Sequence, residues 1–152
     1  MQLAHYLGLL HRSEHELAAA FREVRAAHAE EVDVFHLCER LAQQCDAHTE
    51  RLAPFAERYG EDAPDEPERL HGELFKGTRE GGLGLLRDLH DLYLMAAECD
   101  IAWTLVGQAA QGARDADLLA AVRACEQETA TQLQWLKTRM KQAAPQALVV
   151  AP

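Results

Sequence analysis

Nothing in these 152 residues alternates apolar and polar side chains in the manner of a strand, and β-branched residues are sparse beside Ala and Leu. A sheet is thereby disfavoured, because strands draw on β-branched and aromatic side chains packed on a pleated surface. No run approaches the roughly 20 apolar residues that a membrane-spanning helix needs, so none is expected. The opening Met1-Gln2-Leu3-Ala4-His5 lacks a basic stretch followed by a long apolar one, so no signal peptide is expected either. The four cysteines, Cys38, Cys45, Cys99 and Cys125, contain no C-x-x-C pair. They read as reduced thiols of a cytoplasmic protein. A nucleophile elbow and a phosphate-cradling loop are missing: Gly81, Gly82 and Gly84 precede a helix without the strand such a loop requires. Positive charge is in deficit, 15 Lys and Arg against 25 Asp and Glu, for a net −10. Such a surface repels phosphate backbones and anionic lipid, which argues against nucleic-acid and membrane partners.

What the chain does have is helical periodicity. Apolar residues make up 48%, enough for one domain of this length to bury a core unaided. Leu3, Leu7, Leu10, Leu17, Phe21 and Val24 recur three and four apart, which predicts a first helix over about 3–28. Glu14 stands in that stripe where an apolar residue belongs. The next boundary carries no Gly or Pro, so one very long helix stays open. Against it, Asp33 suits an N-cap, and Val32 and Leu37 have the spacing of a hydrophobic staple. The second helix then places Phe35, Cys38, Leu41, Cys45, His48, Leu52 and Phe55 inward and ends near Tyr59-Gly60.

Residues 60–84 are punctuated by Gly and Pro, with a short helix conceivable around Arg69 to Lys76. A connection this long is able to traverse a bundle and make the second and third helices run parallel. The third helix is expected over Leu85–Gln111. One stripe holds Leu85, Leu89, Leu92, Ala96, Cys99, Ala102 and Val106, and an adjoining one holds Leu94, Glu98, Ile101 and Leu105, before Gly112 closes it. Asp115 or Asp117 caps a fourth helix with Leu118, Val122, Cys125, Thr129, Leu133, Leu136 and Met140 inward, stopped by Pro145. Residues 1–145 form a single domain in this reading, and 146–152 a frayed tail.

A shift of 84 residues lays one hairpin on the other, matching Glu14 with Glu98, Cys45 with Thr129, and His48 with Gln132. Each hairpin offers one inward Glu and then polar residues at i and i+3, and antiparallel counting brings them to one depth. Two such hairpins joined by a long crossover resemble the ferritin-like superfamily of antiparallel four-helix bundles. Its di-iron members use a Glu from each of two helices and Glu-x-x-His from each of the others. The resemblance implies Glu14, His48 and Glu98 as candidate metal ligands, with Cys45 where a bridging Glu belongs. It implies Thr129 and Gln132 in place of the fourth helix's Glu and His, with Glu128 one residue away. Half the ligand set is thus replaced. The reading is of a non-catalytic binding or structural, stress-related protein, with self-association as a homodimer left open. The alternative is a metalloprotein of oxidase or peroxidase type, with one transition-metal ion, Fe or Zn, in an atypical site.

Three further patterns are weighed beside these. Cys45, Cys99, Cys125 and His48 share a depth and offer thiolate and imidazole ligands for zinc, although isolated cysteines on apolar stripes usually serve as small core residues. His11-Arg12-Ser13-Glu14-His15 spells H-x-x-E-H, but a peptidase needs a third ligand and a cleft. Trp103, Trp135, Tyr93 and Tyr6 fit core and rim packing.

Overall fold

A computed structural model of the chain describes residues 2–60 and 74–150. Nearly all of them lie in four helices: α1 (Leu3–Ala27), α2 (Val32–Gly60), α3 (Gly81–Gly112) and α4 (Ala116–Pro145). No strand occurs among the described residues. None of the described helices is long and apolar enough to cross a membrane.

The helix breaks over residues 28–31, so the single long helix does not form. His28 N–H still bonds Val24 O, and Glu31 N–H then bonds His28 O to close a turn. The capping expected here is corrected. Val32 already begins α2 and is 68% exposed, so it staples nothing, and Asp33 lies inside the first turn. Arg139 near the end of α4 donates to Asp33 at 2.6 Å and to Glu31 at 3.1 Å, tying the start of one helix to the end of the other. At the α3–α4 turn, Asp115 rather than Asp117 is the cap. Asp115 Oδ1 accepts from Leu118 N–H at 3.0 Å, while Oδ2 accepts from Arg58 and Tyr59 at the end of α2, each at 2.7 Å. The left-handed residue in this turn is Arg114 (φ 56°) rather than Gly112.

The start of α3 hangs on a buried carboxylate. Asp88 accepts from the Arg79 backbone and guanidinium, both at 2.9 Å, and contacts His28 Nε2 at 2.7 Å. The backbone of Arg79 is folded so closely over α3 that a Cβ on Gly84 would lie 2.8 Å from its carbonyl carbon. Of the expected short helix at Arg69 to Lys76, all but the last residues fall outside the described residues, and Leu74 to Glu80 is irregular.

One apolar core runs through all four helices, from Leu7 and Phe21 on α1 through Leu52, Leu89 and Trp103 to Leu136 on α4. α1 packs along both α2 and α3, and α4 along α3, while α2 and α4 meet only thinly. Two prolines lie inside helices. Pro54 sits within α2, where it removes one backbone donor. Pro145 does not stop the chain: a π-helical turn, Gln146–Val150, continues against α3 and α4, burying Ala147 and leaving Leu148, Val149 and Val150 exposed.

A buried polar layer as the candidate functional site

Midway along the bundle, polar side chains from all four helices meet in the apolar core. Glu14, His48, Thr129 and Gln132 are each 0–1% exposed, as are Cys45 and Cys99 beside them. Trp103 Nε1 donates to Glu14 Oε1 at 2.8 Å, and His48 Nδ1 lies 3.1 Å from the same oxygen. The other ring nitrogen of His48, Nε2, lies 3.2 Å from Glu128 Oε1. The Trp103 ring stands edge-on to the imidazole at 86°, centroids 5.8 Å apart, which fixes the plane of His48. Gln132 Nε2 donates to Gln44 Oε1 at 3.0 Å and contacts Cys45 Sγ at 3.8 Å, while Thr129 donates to the Cys125 carbonyl of its own helix. Among the described residues, three buried polar atoms have no hydrogen-bond partner: Glu14 Oε2, Gln132 Oε1 and Ser13 Oγ.

The electrostatics follow from this crowding. Burial pushes the Cys45 and Cys99 thiols well above their ordinary range, and the nearby Glu14 carboxylate pushes the same way. Burial likewise raises Cys38 and Cys125 to about 12. For His48 burial opposes the charged form, yet the hydrogen bonds and charges of Glu14 and then Glu128 outweigh it, and its pKa rises.

Glu98 is not in the layer. It is half-buried, and its stripe faces outward, with Leu94, Ile101 and Leu105 all exposed and Ile101 at 55%. The 84-residue shift holds for α2 and α4, where Cys38 and Val122, Cys45 and Thr129, His48 and Gln132, and Leu52 and Leu136 are all buried pairs. It fails for α1 and α3 because the second turn, residues 113–115, is one residue shorter than the first, 28–31. A shift of 85 restores the match: Leu7 with Leu92, Leu10 with Met95, Leu17 with Ala102, and Phe21 with Val106 are all buried. The α3 counterpart of Glu14 is therefore Cys99.

No family model, curated protein or solved structure matches this chain.

The donors can be tested against the di-iron set directly. With Cys99 in place of Glu98, the six corresponding positions hold Glu14, Cys45, His48, Cys99, Thr129 and Gln132, leaving one carboxylate and one imidazole. Glu14 Oε1 already serves two donors, and both nitrogens of His48 face carboxylates. The thiols are held in their neutral form by burial, whereas a metal takes the thiolate. Among the described residues, no three or more His, Cys, Asp and Glu side chains come together in a way that could hold a metal ion. The residues present do not fit the paired-iron group, and the Cys/His zinc set fares no better. The H-x-x-E-H pattern also comes apart, since Glu14 faces the core while His15 is exposed and His11 half-buried.

Sequence reasoning missed Trp103 and Gln44. The signal for Trp103 was present: it follows Cys99 by one helical turn on the inward stripe. Glu128, expected beside Thr129 in the polar layer, reaches it because its side chain leans in from the rim, 44% exposed.

Proposed function

We propose that this chain is a ferritin-like, antiparallel four-helix bundle that serves as a non-catalytic binding or structural protein. The observation that carries this reading is the fate of Glu14. It alone keeps a carboxylate among the six corresponding positions, and Trp103 and His48 already engage it. The antiparallel arrangement is supported by which ends meet. Arg22 near the end of α1 pairs with Glu39 early in α2, and His28 beyond α1 meets Asp88 early in α3. Asp33 pairs with Arg139, and Arg58 with Asp115, so α2 and α4 run opposite ways. With α3 and α4 joined by a tight turn, α2 and α3 then run parallel, as a long crossover requires.

Elemental analysis of tag-free protein, before and after aerobic loading with ferrous ion, tests the reading together with a ferroxidase assay. The expected result is substoichiometric metal and no oxidation of Fe²⁺ above the uncatalysed rate. Two tightly held irons per chain, lost in Glu14→Ala, would restore an oxidase.

A further inference from the structure

We propose that His48 is held as an imidazolium, its two ring N–H groups bridging Glu14 on α1 and Glu128 on α4. The proposal rests on the metal-free reading above and goes further by assigning the charge state of His48.

The valence of imidazole constrains the ring. A neutral ring carries one N–H and one lone pair, whereas an imidazolium carries two N–H groups and no lone pair. Both nitrogens of His48 face carboxylate oxygens, at 3.1 Å to Glu14 and 3.2 Å to Glu128. A neutral ring would aim a lone pair at one of them; an imidazolium satisfies both with charge-assisted bonds. The surroundings favour the cation too. Glu14 Oε1 takes a further N–H from Trp103, so its charge is met by donors on α2 and α3 at once. The other titratable groups near Glu14 on α2 and α3 are the Cys45 and Cys99 thiols, which burial keeps uncharged. From α4 the ring faces Glu128, with the neutral amide of Gln132 beside Cys45.

The bridge does structurally what a metal does in such a core: one positive centre draws together side chains from separate helices. It differs in carrying a single charge, which suits a layer that has kept one buried carboxylate and recruited a second from the rim.

Two-bond ¹H–¹⁵N spectra of the full ¹⁵N-labelled chain read the protonation of each ring nitrogen. At neutral pH both nitrogens of His48 should be protonated, with two slowly exchanging N–H signals that vanish in His48→Gln. Glu128→Gln lies at the rim and leaves the core intact. It should shift the deprotonation of the His48 ring to lower pH while the signal of Trp103 Nε1–H stays in place. One unprotonated nitrogen in metal-free protein, or no shift in Glu128→Gln, overturns the bridge and leaves the non-catalytic reading standing. Displacement of a His48 ring proton by one equivalent of Fe²⁺ or Zn²⁺ overturns both.

Discussion

A carboxylate buried from solvent is stable only while its donors stay, and Glu14 has Trp103 and His48, with the Cys45 thiol also hydrogen-bonded to it. Replacing His48 by Leu removes the one partner that can carry positive charge and leaves Glu14 with the neutral donors Trp103 and Cys45, and breaking a buried pair from one side costs about 3–5 kcal/mol. Urea denaturation of His48→Leu should show a loss of that order. Glu14→Leu combined with His48→Leu should recover most of it, because no stranded charge remains. The pH dependence carries the same signature. The pKa of His48 is raised from its ordinary 6.5, so its contribution is fully present below that value and is lost as pH climbs through the folded-state value. The denaturation midpoint should therefore fall on the alkaline side of about 6.5, and His48→Gln should flatten that limb. Asp115 works in the opposite sense: Tyr59, the Leu118 backbone and Arg58 hold its carboxyl below 3.8. Its contribution is present above that value and fades as pH falls below it.

At the scale of elements, two positions set against their helices make opposite predictions. Gly84 allows the strap ending at Arg79 to lie on α3, and an added Cβ would meet backbone at 2.8 Å, which cannot give way as a side chain can. Gly84→Ala should cost about 1–3 kcal/mol, although alanine is the better helix former. Pro54 is exposed within α2, and a proline in a helix interior is about 3 kcal/mol worse than alanine. Pro54→Ala should raise the midpoint of thermal unfolding and Gly84→Ala should lower it, as calorimetry on both variants would show. Helix existence was legible in the spacing of Leu, Phe and Val, and the cap of α4 was narrowed to Asp115 or Asp117, of which the structure uses Asp115. The inward face of α3 was not. That helix is apolar on several sides, so two stripes competed, and only the shorter turn at 113–115 chose between them. Glu98 was assigned to the core by a register error of one residue, a rotation of about 100° on a helix.

For the molecule as a whole, the sequence pointed to four helices and a central polar layer, and to Glu14, His48, Cys45, Thr129 and Gln132 as its members. It could not show that Glu128 leans in or that Trp103 closes the layer, because both depend on how far neighbouring helices are rotated. The thin contact between α2 and α4 has a consequence of its own. Along it lie Asp33 with Arg139, Gln44 with Gln132, His48 with Glu128, and Arg58 and Tyr59 with Asp115. The two central pairs are the same pair seen twice, since 44 and 128, like 48 and 132, are 84 apart. Sliding one helix past the other by a turn would part all of these partners together, while leucine against leucine would scarcely register the change. The uniqueness of the native alignment thus resides in its polar contacts, and its strength in its apolar ones. The doubly apolar variant at positions 14 and 48 separates the two: it should unfold at nearly the wild-type urea concentration yet give broadened or doubled amide resonances along α2 and α4, the mark of a bundle that is firm but no longer single-minded.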